Sequence, residues 1–282
     1  MKKFILACML MAGMAVQAQT KVQMLLWEKD TPAGASPEAI AAMIDENDFT
    51  RNPGLTVYVP KKPNGKAIIM CPGGGYGWEA TGHEGHGMAE WFNAQGITYV
   101  VLKYRLPQGN HELPLADAEQ AVRLVRSHAD EWGVNPSKVG IMGASAGGHL
   151  ASTLATHYGS SDSRPDFQVL FYPVITMDPA YTHGGSRENL LGKNPTKELE
   201  EKFSNELQVT SETPKAFIML SSDDGAVPVA NGVNYYMALL AKNVRASLHA
   251  YPEGGHGWGY GDGFIYKHQW KEELEKWLRE EI

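Results

Sequence analysis

Cysteine is nearly absent from this chain. Only Cys8 and Cys71 are cysteines among its 282 residues, and Cys8 falls inside an apolar N-terminal stretch that is predicted to be removed. One remaining cysteine excludes an intramolecular disulfide in the mature chain. Cys71 ends an apolar run, which favours a small buried residue over a nucleophile.

The chain also lacks an apolar run long enough to cross a bilayer, which takes about 20 residues. Its N-terminal apolar stretch covers only residues 4–16, follows two lysines and precedes a small-residue cleavage pattern ending at Ala18. These features predict a secretory signal peptide over residues 1–18 and export to the periplasm or the extracellular space. We expect residues 19–282 to form the mature domain.

Basic residues are fewer than acidic ones. The 25 Lys and Arg stand against 32 Asp and Glu, which gives a formal net charge of −7. Loss of the leader removes two lysines and no acid, so the charge of the mature chain becomes −9. Such a surface is a poor partner for nucleic acid or an anionic membrane. We therefore expect no nucleic-acid binding and no membrane insertion.

Motifs for phosphate, dinucleotide and zinc sites are missing too. The chain has no G-x-x-x-x-G-K-[ST] loop, no H-E-x-x-H pair and no G-x-G-x-x-G followed by an acidic residue. His83 and His86 lie on either side of Glu84, but the glycines around them argue against a helix-borne metal pair. We expect neither a metal nor a cofactor.

A serine between two glycines stands where a strand pattern meets a helix pattern. The apolar run 139–142 precedes Gly-Ala-Ser-Ala-Gly at residues 143–147, and helical spacing continues to Ala155. Strand, sharp turn and helix form the context of a nucleophile elbow, whose serine, here Ser145, lies exposed at the apex. The glycines keep side chains away from neighbouring strands. A glycine-rich helix start is the alternative interpretation.

An acid and a histidine follow the serine in the order that elbow hydrolases use. Asp224 comes after the apolar run 216–220, and His256 comes after the run 246–251. Strand ends of this kind are where open α/β sheets place their sites. Imidazole can take the serine proton, and a carboxylate fixes the imidazole tautomer. Asp224 is chosen over Asp223 because it begins a D-x-x-V-P turn, a feature of many such hydrolases.

A glycine-rich loop supplies candidate oxyanion donors. The predicted strand 67–71 runs into Pro-Gly-Gly-Gly-Tyr at residues 72–76. Elbow hydrolases take one backbone N–H from the residue after the nucleophile, here Ala146, and another from a loop of this type. We therefore predict an oxyanion hole that is formed by Ala146, Gly74 and Gly75.

These motifs together resemble those of the α/β-hydrolase superfamily, in particular secreted bacterial carbohydrate esterases of the acetylxylan-esterase and feruloyl-esterase-like type. The resemblance covers the chain from about residue 55 onward. It rests on P-G-G-G-Y at 72–76, H-E-G at 83–85, Y-R-L-P at 104–107, D-A-E-Q-A-V-R-L-V-R at 117–126, G-A-S-A-G-G-H-L-A at 143–151, T-H-G-G-S-R at 182–187, Asp224 and His256.

Apolar runs alternate with helical patterns, which predicts a mostly parallel sheet with crossover helices. The predicted strands cover residues 55–59, 67–71, 97–102, 139–142, 169–172, 217–220 and 246–251. Right-handed crossovers then give an α/β fold, a three-layer α/β/α sandwich. Residues 176–213 break the alternation, and the resemblance implies a small lid insertion there. Residues 21–51 are weakly patterned and predict an extension packed on the core.

Aromatic and polar residues flank the predicted loops and are candidate substrate contacts. Tyr76, Trp78 and Trp258 offer faces on which sugar rings can stack, with core filling as the alternative for Trp78. The resemblance places His83 and Glu84 at the opening of the site, either as substrate contacts or as plain loop residues.

The resemblance implies a secreted serine esterase that removes short acyl groups, acetyl above all, from xylan or other plant polysaccharides and oligosaccharides. Alternatives are a feruloyl or general short-chain esterase, a serine peptidase, and a non-catalytic glycan-binding protein. The chain lacks the propeller domain of large oligopeptidases of this fold, and the complete triad pattern argues against a dead scaffold. No pair of carboxylates stands out as the pair that a glycosidase needs.

Overall fold

The computed structural model describes residues 20–27 and 52–282. The predicted signal peptide and residues 28–51 of the predicted extension lie outside these ranges. Within them, one sheet holds eight strands in the order β1-β2-β4-β3-β5-β6-β7-β8. The strands are β1 Thr20–Leu25, β2 Gly54–Val59, β3 Gly65–Cys71, β4 Thr98–Lys103, β5 Val134–Ala144, β6 Phe167–Phe171, β7 Lys215–Ser221 and β8 Ala246–Tyr251. Strand β2 is antiparallel to both β1 and β4, and all other neighbours are parallel.

Helices cover both faces of this sheet. In the described part of the chain they are α1 Ala89–Ala94, α2 Glu112–Ser127, α3 Ala129–Trp132, α4 Ala146–His157, α5 Gly184–Leu191, α6 Lys197–Phe203, α7 Ala230–Ala241 and α8 Lys267–Glu280. Helices α2, α3, α4 and α7 pack in one apolar cluster, and α1 and α8 pack in the other. The predicted three-layer α/β/α sandwich with a mostly parallel sheet is confirmed.

The central strands β3, β4 and β6 are mostly apolar because both of their faces are covered. In β3, Ile69 and Cys71 belong to the cluster under α2 and α4, whereas Ile68 and Met70 belong to the cluster under α1 and α8. Successive strand residues point to opposite faces. A strand buried on both sides therefore has a continuous apolar run in its sequence. Such runs are the pattern from which these strands are predicted.

The N-terminal segment adds a strand that the sequence did not predict. Residues 20–25 form β1 at the edge of the sheet, whereas the sequence predicts only an extension packed on the core for residues 21–51. Every residue of β1 is exposed or half-buried, so no buried apolar run marks the strand. Trp27 then donates its indole N–H to the buried Asp117 carboxylate at 2.7 Å, which ties the segment to α2.

The segment 176–213, predicted as a lid, lies between β6 and β7 and contains α5, α6 and a short 3₁₀ turn at Asn205–Leu207. Side chains cap both helices, as the N-termini of helices require. The His183 ring accepts the Ser186 N–H at the start of α5, and Thr196 accepts the Leu199 N–H at the start of α6.

Candidate active site

Ser145 occupies a strained turn between β5 and α4. Its backbone has φ 54° and ψ −120°, a conformation that side-chain-bearing residues seldom adopt. The neighbouring glycines have no room for a side chain. A Cβ on Gly143 would overlap the Gly147 carbonyl, and one on Gly147 would overlap the Cys71 carbonyl. The sequence therefore folds into an elbow that holds the serine hydroxyl out from the sheet edge.

Ser145, His256 and Asp224 form one hydrogen-bonded chain. His256 Nε2 lies 2.8 Å from Ser145 Oγ, and His256 Nδ1 lies 2.7 Å from Asp224 Oδ2. A carboxylate only accepts hydrogen bonds, so Nδ1 carries the proton and Nε2 is left to accept the serine hydrogen. The other carboxylate oxygen of Asp224 accepts the N–H groups of Ala226 and Val227, both at 2.9 Å. This arrangement can remove the serine proton.

Asp223 has a different set of partners from Asp224. Its carboxylate accepts the N–H of Gly255 at 2.8 Å and that of Gly254 at 3.2 Å. These hydrogen bonds, that of Gly255 above all, hold the pKa of Asp223 below its usual value. Asp223 thus fixes the backbone that carries His256 and does not bond the ring itself.

The three predicted oxyanion donors are backbone N–H groups that have no acceptor in the described part of the chain. Gly74 and Gly75 line the same cavity as Ser145, and Ala146 is the first residue of α4, where N–H groups have no intrahelical partner. Within residues 20–27 and 52–282, no acceptor is bonded to the N–H of any of the three. Gly74 and Gly75 have φ of +130° and +63°, which explains glycine at both positions.

A cavity of about 470 Å³ opens over Ser145. Its lining comprises Gly74, Gly75, Gly77, Trp78, Ala80, His83, Glu84, Ser145, His183, Gly185, Asn189, His256 and Gly257. We call this cavity the ester cleft. Trp78 is 60% exposed at its edge, so the alternative of core filling for this residue is wrong. His83 is also exposed and reaches the cleft.

Glu84 lies in the wall of the cleft, but its carboxylate is already occupied. One oxygen accepts the Gly73 N–H at 2.9 Å, and the other accepts the Tyr172 hydroxyl at 2.7 Å. The Tyr172 oxygen in turn accepts the Gly259 N–H at 2.8 Å. Glu84 therefore ties the glycine loop to the loop that follows His256. Of the two interpretations of Glu84, these contacts favour a loop residue with a positioning role over a substrate contact.

Tyr76 does not reach the cleft. It is 2% exposed, and its hydroxyl lies 2.9 Å from Nδ1 of the buried His149. His149 Nε2 donates to the Phe203 carbonyl at 2.8 Å, so Nδ1 is the acceptor for Tyr76. Burial lowers the pKa of His149 to about 4, which keeps the ring neutral. Tyr76 therefore anchors the glycine loop from below, and its predicted contact with substrate is wrong.

Trp258 is likewise buried, at 7% exposure, and does not line the ester cleft. Its indole N–H donates to Ser221 Oγ at 2.9 Å, and its ring stacks on Phe264 with centroids 4.1 Å apart. The predicted stacking of Trp258 on a sugar ring does not occur in the ester cleft, because Trp258 lines a neighbouring cavity instead.

The sequence missed three residues that shape the cleft. His183 and Asn189 come from the predicted lid segment, and Asn189 donates to the Gly75 carbonyl at 2.9 Å. Tyr172 follows β6 and places its ring 4.8 Å from the His256 ring. The only signal for Tyr172 is its position at a strand end, which is where this class of sheet carries its site.

A metal site, a membrane-spanning helix and a cysteine nucleophile are the alternatives to compare with the described residues. Among them, no cluster of three or more His, Cys, Asp or Glu side chains is arranged to hold a metal ion. None of their helices combines the length and apolarity that a bilayer crossing needs. Cys71 is fully buried, and burial raises the pKa of its thiol, so it is not a thiolate nucleophile.

The fold and the site together define the class of this protein, an α/β hydrolase whose candidate nucleophile is a serine on an elbow. More narrowly, the chain belongs to the BD-FAE family, whose family model matches residues 55–239. The matched range includes Ser145 and Asp224 and ends before His256.

Relatives of known sequence carry esterase and xylanase names. The acetylxylan esterase of Xylanibacter ruminicola is 40% identical over 282 residues, which is 99% of this chain and 55% of that protein. The endo-1,4-beta-xylanase B of Butyrivibrio fibrisolvens is 37% identical over 204 residues, which is 67% of this chain and 32% of that protein. The chain thus spans about half the length, or less, of these curated relatives.

Solved structures match over most of their length. The acetyl ester-xyloside bifunctional hydrolase of Caldicellulosiruptor lactoaceticus has a TM-score of 0.80 and 36% identity, covering 92% of this chain and 95% of that one. A sugar hydrolase of Lactococcus lactis has a TM-score of 0.69 and 26% identity, covering 82% and 95%. These likenesses confirm the fold and the resemblance to carbohydrate esterases that the sequence predicted.

Proposed function

We propose that this chain is a serine esterase that removes acetyl groups from xylan or related plant polysaccharides and oligosaccharides. The observation that carries the proposal is the hydrogen-bonded chain Asp224–His256–Ser145 beside backbone N–H groups that have no acceptor among the described residues. The names of the acetylxylan esterase and of the acetyl ester-xyloside hydrolase support acetyl and xylan as the substrate.

Acylation begins when Ser145 Oγ attacks the ester carbonyl carbon and His256 Nε2 takes the hydroxyl proton. Asp224 stabilises the imidazolium that forms. The carbonyl oxygen becomes an oxyanion and accepts hydrogen bonds from the N–H of Ala146 and from the glycine loop. Each such donor contributes about 3 kcal/mol to stabilising the transition state.

The tetrahedral intermediate then collapses. The bond between the carbonyl carbon and the sugar oxygen breaks, and His256 gives its proton to that oxygen, so the sugar leaves as an alcohol. Water attacks the acetyl-Ser145 ester with His256 again as the base, and acetate is released. Every step uses groups of the chain and water.

The cleft predicts a preference for short acyl groups. Among its lining residues, only Trp78 and Ala80 carry apolar side chains that could cover an acyl chain. Methylenes that stay in water gain no burial energy, so kcat/KM is expected to be highest for acetyl and to fall beyond about four carbons. The measurement is kcat/KM for p-nitrophenyl acetate, butyrate and octanoate, beside a feruloyl sugar ester and an aminoacyl p-nitroanilide.

Each alternative function predicts a different result with this set of substrates. A maximum at octanoate would contradict the short-acyl preference, and a maximum at the feruloyl ester would assign the chain to aromatic esters. Faster turnover of the aminoacyl amide than of p-nitrophenyl acetate would support a peptidase. Absence of turnover on every ester would support a non-catalytic glycan-binding protein.

Replacement of Glu84 by glutamine is expected to lower kcat by about 10²-fold, the effect of small misplacements at a reacting centre. Glutamine has one acceptor oxygen where the structure uses two, so either Gly73 or Tyr172 loses its acceptor. The glycine loop then shifts relative to the His256 loop, while the cleft surface is kept. Steady-state kinetics with p-nitrophenyl acetate should therefore show a fall in kcat with little change in KM.

Glu90→Gln is the matched control for Glu84→Gln, because Glu90 is an exposed glutamate on α1 outside the cleft. It should behave like the unaltered protein. An unchanged kcat in Glu84→Gln, or a rise in KM alone, would contradict the positioning role.

A further inference from the structure

A second cavity adjoins the ester cleft on the side of His256. It measures about 540 Å³ and shares the lining residues His83 and Gly257 with the cleft. This volume lies within the range of about 300–1,000 Å³ that is typical of ligand sites. The two cavities therefore lie side by side, with His83 and Gly257 between them.

The position of the second cavity follows from the residues that build it. Glu253, Gly254 and Gly257 flank His256 in sequence, and Gly261, Gly263 and Ile265 continue the same loop. His256 delivers its proton to the leaving oxygen, so the leaving alcohol must lie on the imidazole side of the reacting carbon. The second cavity is therefore on the leaving-group side, where the sugar chain of an ester substrate would extend.

Its chemistry suits a neutral sugar. Asp223 and Glu253 line the cavity, and carboxylate oxygens accept hydrogen bonds from vicinal hydroxyls. The Asp223 carboxylate accepts two hydrogen bonds, from Gly254 and Gly255, and has roughly four lone-pair positions, so it can accept more. Ile265, which is 68% exposed, offers apolar surface to the C–H face of a ring. Two carboxylates would repel a uronate.

Aromatic packing fixes the floor of the second cavity. The Phe264 ring stacks on Trp258 at an interplanar angle of 7°. Gly254 has φ +146°, and a Cβ there would overlap the Phe264 ring, so glycine is required for this packing. The aromatic pair holds the loop that carries Glu253 and Ile265 in a defined position, which is a requirement for a preorganised subsite.

We propose that this second cavity is a leaving-group subsite that binds neutral pyranose units of the polysaccharide chain next to the acetylated unit. The proposal rests on the esterase function proposed above for the ester cleft. It assigns to Glu253 and Ile265 the recognition of sugar units that the reaction leaves unchanged.

Gly263→Leu tests the subsite by filling it. A Cβ at Gly263 meets no heavy atom within 4 Å, so the new side chain enters open space without disturbing the fold. We expect kcat/KM for an acetylated xylo-oligosaccharide of at least three units to fall about tenfold, the effect of losing one or two polar contacts. Turnover of p-nitrophenyl acetate, whose leaving group is a single ring, should stay within about twofold.

Gly82→Leu is the matched control. Gly82 also has open space around its Cβ position, and it lines neither cavity. It should leave both substrates unaffected. Equal losses on both substrates in Gly263→Leu, or no loss on the oligosaccharide, would overturn the subsite.

Binding to an inactive protein separates the subsite from the esterase function. Calorimetry with xylotetraose should show binding to Ser145→Ala and binding at least about fivefold weaker when Gly263→Leu or Glu253→Ala is added. Xylotetraose that carries a glucuronic acid should bind Ser145→Ala less well than the neutral chain. Absence of binding to Ser145→Ala, or equal binding by all three proteins, would overturn the proposal. If the unaltered protein fails to hydrolyse p-nitrophenyl acetate, the esterase function fails instead, whatever the binding result.

Discussion

Replacing Ser145 with alanine is expected to lower kcat for p-nitrophenyl acetate by about 10⁴-fold or more, because the members of a triad act as a unit. Alanine lacks the Oγ that lies 2.8 Å from His256 Nε2, so no acyl-enzyme can form. The measurement is steady-state release of p-nitrophenolate, with thermal unfolding followed on the same preparation.

The fold should survive this change. The Ser145 N–H donates to the Phe171 carbonyl, and the Ser145 carbonyl accepts the N–H groups of His149 and Val174. Alanine keeps all three of these backbone contacts. Ser161→Ala, at an exposed serine distant in sequence from the site motifs, is the matched control and should retain full activity. Activity of Ser145→Ala within about tenfold of the unaltered protein would contradict the proposed nucleophile.

The sheet could be predicted because its strands are buried on both faces. The run 246–251 coincides with β8, and β2, β4, β6 and β7 begin or end within two residues of the prediction. Strand β5 differs most, since residues 134–138 contain exposed Asn135, Pro136 and Ser137 that hide the strand pattern. Strand β1 was missed for the same reason, because an edge strand with exposed side chains produces no apolar run.

The candidate triad could be predicted because it depends on backbone position. An elbow serine, an acid and a histidine at the ends of parallel strands must meet at one sheet edge, and local sequence identifies each strand end. The positioning roles of Tyr76 and Glu84 could not be predicted from local sequence. Their partners, His149 and Tyr172, lie 73 and 88 residues away along the chain, and no local pattern encodes such pairs.

The same distinction explains the errors over substrate contacts. Tyr76 and Trp258 stand beside site motifs in sequence, which made them candidates, but each belongs to a buried network that supports a loop. Trp78 stands equally close in sequence and is exposed at the cleft. Proximity along the chain therefore predicts that an aromatic residue lies near the site. Whether its side chain faces the substrate or the core depends on tertiary packing, which the local sequence does not show.

Asp224→Asn is expected to lower kcat by about 10⁴-fold, the effect of losing the carboxylate that fixes the histidine tautomer. The N–H groups of Ala226 and Val227 both donate to Asp224 Oδ1. An asparagine must turn its single oxygen toward these two donors, which leaves its NH₂ group facing His256 Nδ1. The imidazole then accepts at Nδ1 and carries its proton on Nε2, where it can no longer take the Ser145 hydrogen. The measurement is kcat for p-nitrophenyl acetate.

Asp223→Asn is the matched control, since it makes the same chemical change at the adjacent residue. The Asp223 carboxylate bonds the N–H groups of Gly254 and Gly255, so asparagine costs one backbone hydrogen bond in the His256 loop and leaves the imidazole tautomer unchanged. We expect a loss of about tenfold or less in kcat. If the larger loss appears at Asp223, then Asp224 is not the acid that orients His256. The D-x-x-V-P turn and the 2.7 Å contact to Nδ1 would then have a structural role only.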